Sequence, residues 1–266
     1  MKRRVLGAVR SAAVGEMVLG LVRLVWPDTC IACGTNEPTH RGLCEACSRD
    51  LLSLTALRAC PRCGSTLGPG IKADLDGCWT CPETMFRFAR LVRVGPYAPP
   101  LEPAIQRMKY RRRGQGTREL AALLAEAVAA RCADVALDVA VPVPMHWLRR
   151  LRRGSNHSAG LAAGLARRLR IPLGRELVRV RNTPPQVGLP ASRRAENVRR
   201  AFAVPHPKTI DGAGVLLVDD VMTTGATANE ATRALLAAGA ERVIVAVLAR
   251  AEAPVAYAHA LRTAAP

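Results

Sequence analysis

Aromatic residues are scarce. Trp, Tyr and Phe together make up 3% of the 266 residues. That argues against a platform of the kind that stacks several bases on aromatic side chains of one sheet face. Lysine is scarcer than the charge suggests, since only Lys2, Lys72, Lys109 and Lys208 occur among 39 basic residues. No stretch of 18 uninterrupted apolar residues exists, which argues against a membrane-spanning helix. There is no Gly-x-x-x-x-Gly-Lys-Ser/Thr, so an ATP-driven motor is excluded. His40, His146, His157, His206 and His259 are scattered, and no Ser/His/Asp order recommends itself.

What is present is a folded, strongly basic chain. Apolar residues make up 49% and charged residues 23%, so the chain is not disordered as a whole. Its length fits one medium domain plus a small one. The formal net charge of +18 creates a field that attracts polyanions. The basic residues are nearly all arginine and alanine is abundant, a skew that a GC-rich genome produces by itself. The field therefore fits nucleic acid, small phosphates or no charged partner at all. The basic start MKRRVLGAVR is followed by an apolar run broken by Glu16 and Arg23, with no clear cleavage site; the expected location is cytoplasmic.

Eight of nine cysteines form four Cys-x-x-Cys pairs: Cys30/Cys33, Cys44/Cys47, Cys60/Cys63 and Cys78/Cys81. Each such turn brings two thiolates within reach of one ion, and two turns complete a tetrahedral S4 site suited to Zn²⁺. Four pairs predict two structural zinc ions. The intervening gaps of 10, 12 and 14 residues favour sequential pairing over a cross-brace, because closing shorter loops costs less entropy. His40 lies in this region and is able to replace one sulfur. Cys132 stands alone in a helical pattern and reads as a core residue.

The chain divides into an N-terminal amphipathic helix (1–27), a cysteine module (28–84), an α/β domain (85–252) and a short tail (253–266). Within the module, 45–54 is helix-like. Beyond it, hydrophobic patterning predicts strands at 91–94, 139–143, 177–181, 214–218 and 242–248. Helices are expected at 101–110, 117–131, 158–169 and 228–238, and a polar loop at 184–196. Strands alternating with helices imply a parallel sheet with helices on both faces.

The most informative segment runs from Val215 to Thr227, VLLVDDVMTTGAT. A buried strand leads into Asp219 and Asp220, then a turn of Thr223, Thr224, Gly225, Ala226 and Thr227, then a helix. Ligands in parallel sheets bind beyond the carboxyl ends of strands. A turn at a helix N-terminus is a ready anion site. Two adjacent acids suit the hydroxyls of a ribose, directly or through Mg²⁺. Phosphate beside a vicinal diol describes a ribose phosphate.

This segment resembles the phosphoribosyl pyrophosphate (PRPP) motif of type I phosphoribosyltransferases. With the cysteine module, the whole chain from about Cys30 to Ala251 resembles the ComF family (ComF/GntX-like proteins). Further pieces occur in that family's order: Lys109-Tyr110, Pro142-Val-Pro144 followed by Arg153-Gly-Ser-Asn156, Arg179–Thr183 leading to Gln186, and Arg194-x-x-Asn197. The resemblance implies a type I phosphoribosyltransferase-like α/β fold behind a double zinc ribbon. It implies catalytic Asp219 and Asp220, Mg²⁺ bound with PRPP, and phosphate contacts from Thr223 to Thr227. Arg153 and Asn156, with Lys109, would face pyrophosphate, while Arg181, Gln186, Arg194 and Asn197 would belong to a closing flap. Purine-type relatives often place an acid where Thr223 stands, so a 6-oxopurine acceptor is disfavoured.

Two functions from different classes follow. One is a phosphoribosyltransferase with an unknown acceptor. The other is a catalytically silent adaptor that binds single-stranded DNA through its basic surface and zinc ribbons. The family's association with natural competence and DNA uptake suits a partner among DNA-processing proteins.

Overall fold

The computed structural model describes residues 29–36, 42–79, 81, 86–110, 116–145, 156–184 and 190–253. The expected N-terminal helix, residues 254–266 of the tail, and the candidates Arg153 and Gln186 lie outside the described residues. In chain order the described elements begin with α1 (Glu45–Ala56), β1 (Arg90–Pro96), α2 (Leu101–Tyr110), α3 (Thr117–Arg131), β2 (Val139–Pro142) and α4 (His157–Leu169). They continue with β3 (Val178–Arg179), α5 (Ala191–Val198), β4 (Phe202–Ala203), β5 (Gly214–Met222), α6 (Ala226–Ala237) and β6 (Arg242–Arg250).

Runs of Val, Leu, Ile and Ala form the central strands. β1, β6, β5 and β2 lie side by side in that order, all parallel, with Leu216 paired to Ile244 and Val139 to Val215. Leu216, Val218, Ile244 and Ala246 pack with α2, α3 and α4 on one face. Val215, Leu217, Val243 and Val245 pack with α6 on the other. Both parities of each strand are buried, which is why the strands read as unbroken apolar runs rather than alternating ones. In α3, Leu120, Leu124 and Val128 recur at helical spacing and are buried. A Cβ at Gly164 of α4 would stand 2.4 Å from that of Ala121, so glycine lets α3 and α4 approach closely. Cys132 is a buried core residue at the end of α3, as expected.

The cysteine module straddles the β1 edge. Cys30 and Cys47, with Leu51 and Leu54 of α1, join the α2–α4 face. Cys60 and Cys63 join the α6 face. The N–H of Leu91 donates to the Pro61 carbonyl at 2.8 Å, so the second half of the module covers part of an otherwise open strand edge.

Three elements differ from expectation. β5 runs on through both aspartates to Met222, because Val221 and Met222 still pair with Ala249 and Arg250 of β6. The expected strand at 177–181 shrinks to Val178–Arg179, which pairs antiparallel with β4 outside the main sheet. The expected loop at 184–196 holds helix α5, which begins after Pro190 and anchors itself through buried Val198.

The second half of the module is tied to the sheet by a buried ion pair. Arg93 Nη1 reaches Glu252 Oε1 at 2.7 Å, with side chains 3% and 7% exposed. Arg93 Nη2 donates to Thr66 Oγ1 at 2.6 Å, and the Thr66 N–H donates to Glu252 Oε2 at 2.8 Å. Truncating one partner strands a buried charge. Glu252→Ala is expected to lower unfolding stability by about 3 kcal/mol, read by urea denaturation. Glu241→Ala, which removes the exposed Arg242 pair, should change it by less than about 0.5 kcal/mol.

Candidate functional site

α4 follows β2 onto one face of the sheet, and α6 follows β5 onto the other. Adjacent parallel strands whose helices leave to opposite faces open a crevice at their carboxyl ends. Asp219 and Asp220 stand there. Asp219 Oδ1 accepts from Ser158 Oγ at 2.8 Å and from the Asp220 N–H at 2.9 Å. Ser158 is buried in the first turn of α4. Asp220 Oδ2 lies 2.9 Å from Lys109 Nζ, with side chains 19% and 25% exposed. Lys109 comes from the last turn of α2.

Burial pushes the Asp219 carboxyl up to about 7, and the neighbouring Asp220 charge adds to it. The Ser158 hydroxyl, the Asp220 N–H and the Lys109 ammonium pull the other way and are outweighed. Once Asp219 ionises, two carboxylates face one ammonium, and the cluster has capacity for a further cation. Paired carboxylate oxygens are hard donors that fit Mg²⁺.

After Met222 the chain turns through Thr223 and Thr224 into α6, with Gly225 at the N-cap position. Gly225 has φ +81°, and a Cβ there would lie 2.6 Å from the Phe86 ring. Both facts require glycine. Asp219, Thr223, Gly225, Ala226 and Thr227 line one small pocket. The first turn of a helix lacks intrahelical acceptors for its N–H groups, so this wall presents donors to an anion.

Behind the turn, Phe86 is buried and stacked on Phe88, with ring centroids 4.6 Å apart. Arg62, between Cys60 and Cys63, holds that segment by donating to the carbonyls of Ala89 at 2.9 Å, Phe86 and Phe88. Arg250, at the end of β6, donates to the Thr223 carbonyl.

The structure thus brings together Asp219, Asp220, Thr223–Thr227 and Lys109. Asn156 Nδ2 donates to the Val143 carbonyl at 3.4 Å, joining the start of α4 to the end of β2. Arg181 and Asn197 bond within their own hairpin, to the carbonyls of Arg199 and of Pro184 (3.1 Å). Arg194 is half-buried on α5. Sequence reasoning missed Ser158, Phe86 and Arg250. For Ser158 a signal existed, since it opens a helix that follows the strand next to β5.

The cysteines form two tetrads, Cys30/Cys33/Cys44/Cys47 and Cys60/Cys63/Cys78/Cys81, with the sulfurs of each within 4.8 Å of one another. This is the sequential grouping. A tetrahedral Zn–S4 centre with bonds of about 2.3 Å has S···S edges of about 3.8 Å. The Sγ separations of 3.7 Å for Cys33–Cys44, 3.7 Å for Cys63–Cys78 and 3.9 Å for Cys60–Cys81 match. Crowding splits the thiol acidities. A hydrogen bond from Cys60 brings Cys63 down to about 4, while burial pushes Cys81 up to about 11. Thr35 brings Cys33 down to about 6. Four sulfurs this close together suit a cation held between them.

A double zinc ribbon followed by a phosphoribosyltransferase-fold domain is the class these features define. Residues 21–85 match the double zinc ribbon domain family, and residues 155–259 match the phosphoribosyl transferase domain family. Competence protein F of Haemophilus influenzae is 36% identical over 228 residues, covering 84% of this chain and 96% of that one. DNA utilization protein YhgH of Escherichia coli K12 is 38% identical over 215 residues, covering 79% and 91%. The chain belongs to the ComF family of double-zinc-ribbon phosphoribosyltransferase-fold proteins.

Two measurements check this geometry. Native mass spectrometry should find two zinc ions per chain; a single ion, or none, would refute the two-tetrad assignment. The second concerns Asp219. A carboxyl with a raised folded pKa lowers stability as pH climbs above its unfolded value of 3.8, and the loss is complete above about 7. Asp219→Asn should therefore leave stability unchanged near pH 4 and raise it at pH 8. A gain of about 2 kcal/mol is expected after allowing for solvent at the crevice mouth. Thermal melts of ligand-free protein at the two pH values read the difference; an equal effect at both would contradict the raised pKa.

Proposed function

We propose that the crevice binds PRPP or a related ribose phosphate with Mg²⁺, and that the protein acts as a phosphoribosyltransferase in DNA uptake or DNA utilisation. The observation that carries this reading is the Asp219/Asp220 pair, held by Ser158 and Lys109 beside the turn that opens α6. The turn would take the 5′-phosphate on its backbone N–H groups and on the hydroxyls of Thr223, Thr224 and Thr227. Asp219 and Asp220 would hold the ribose hydroxyls. Bound Mg²⁺ would neutralise charge on the departing pyrophosphate.

In the reaction the bond from C1 of ribose to pyrophosphate breaks, a bond from C1 to the acceptor forms, and the acceptor loses a proton. The transition state is electron-poor at C1. The two carboxylates stabilise it electrostatically from fixed positions at the end of a buried strand. Lys109, 2.9 Å from Asp220, would meet a pyrophosphate oxygen. The hairpin carrying α5 is the candidate flap that excludes water. The names of the relatives, a competence protein and DNA utilization proteins, support a role in handling DNA. Cytoplasmic placement follows from the same role. Among the described residues no helix is long and apolar enough to cross a membrane.

A second reading, a silent single-stranded DNA adaptor, is favoured by the +18 charge and by Trp79, which is 79% exposed beside Cys78. Titration calorimetry separates the two. Wild type should bind PRPP with Mg²⁺, and Asp219→Asn/Asp220→Asn should weaken that binding at least tenfold, about 1.4 kcal/mol. DNA affinity should survive the double substitution and fall steeply with salt. Absence of PRPP binding by wild type would reject the first reading, and pyrophosphate release across a panel of acceptors would identify the substrate.

A further inference from the structure

Each cysteine tetrad is gripped from the catalytic domain by one arginine, through main-chain carbonyls. Arg107 donates to the carbonyls of Cys30 at 3.2 Å and Cys33 at 2.9 Å. It lies two residues before Lys109, the partner of Asp220. Arg250 makes the corresponding contact on the other face. Its Nε donates to the Cys63 carbonyl at 3.1 Å, and its Nη1 to the carbonyls of Thr223 and of Ala251 (2.7 Å). The Arg250 guanidinium thus bridges a metal-binding turn and the turn that opens α6.

We propose that Arg250 is a positioning residue through which the second tetrad, when it holds zinc, fixes the conformation of the 222–225 turn and so its affinity for phosphate. The inference rests on the reading that this turn binds the phosphate of a ribose phosphate. Zinc bound by Cys60 and Cys63 fixes the turn between them, including the Cys63 carbonyl. A guanidinium is planar and rigid, so anchoring one edge orients the other. A trans peptide points its N–H opposite to its C=O. Holding the Thr223 carbonyl on Arg250 therefore turns the Thr224 N–H away from the ribbon. Phe86 braces the same turn at Gly225, and its segment is held by Arg62 of the same tetrad.

Arg250→Lys keeps the charge and removes the fork. With both zinc ions retained by mass spectrometry, this variant should bind PRPP with Mg²⁺ about tenfold more weakly. Its amides at 223–227 should exchange faster with deuterium, while those of α4 exchange as in wild type. Coupling between binding free energies is reciprocal, so PRPP should raise the affinity for one of the two zinc ions in wild type and not in the variant, read by equilibrium competition with a chelator. Unchanged exchange at 223–227, or exchange raised equally in α4, would overturn the proposal. So would PRPP binding that leaves the zinc affinity of wild type unaltered. If wild type binds no PRPP yet the exchange difference is present, the phosphate reading fails and the structural coupling stands.

Discussion

A carboxyl group near the end of a strand covered on both faces is costly to ionise, and much of this molecule is arranged around keeping one there. β5 is hydrogen-bonded to β2 as far as Val218 and to β6 as far as Met222, so its carboxyl end stays held on the β6 side. Asp219 receives a hydroxyl from α4 and a backbone N–H from Asp220. Both fall on Oδ1, and they do not cancel the desolvation that raises its pKa. Lys109 reaches Asp220 from a third element. On the proposed reading, the ligand-free protein stores unfavourable electrostatics that a cation and a ribose relieve.

The ribbons solve a different problem. A module of some fifty residues has too little interior to hold itself together. Bound zinc substitutes for part of that core, and the sheet supplies the rest. The tetrads bury against opposite faces of the sheet around β1. Arginines fasten the seam of the second one, with buried Arg93 and half-buried Arg62 and Arg250 all engaged. Phe86 and Phe88, both buried, stack at this seam against the turn that opens α6.

How much of this was legible follows from the range of each interaction. Local patterns gave the sheet strands, α2 and α3 to within a few residues, because unbroken Val/Leu runs and alanine-rich periodic stretches have few alternatives. Cysteine spacing gave the tetrads and their sequential grouping. The acids and the Thr-Thr-Gly turn are contiguous in sequence, so their joint placement could be read directly. Ser158 is 61 residues from Asp219; its place at the head of a predicted helix was legible, but its contact with Asp219 depends on how β2 and β5 pair. The contact of Arg250 with Cys63 spans 187 residues and is set by where the ribbon docks. The α5 segment reads as a loop because Ser192, Arg193, Arg194, Glu196 and Asn197 dominate it, and among its described side chains only Val198 is buried. Extension of β5 through two aspartates runs against their low strand propensity; pairing with β6 decided it.

Thr223 carries the consequence for chemistry. A hydroxyl is a hydrogen-bond donor and acceptor at neutral pH, not a general base, so this position cannot take a proton from an acceptor as a carboxylate would. Nor is the backbone there free to re-aim, since the Thr223 carbonyl is held by Arg250. Asp219 and Asp220 are committed to Ser158 and Lys109 and, on the proposed reading, to the ribose and Mg²⁺. On that reading, a proton leaving the acceptor would go to pyrophosphate, to water or to a group outside the turn. That favours acceptors whose nucleophile is already deprotonated or weakly basic, and it separates this site from one built to activate a nucleobase at its own phosphate turn.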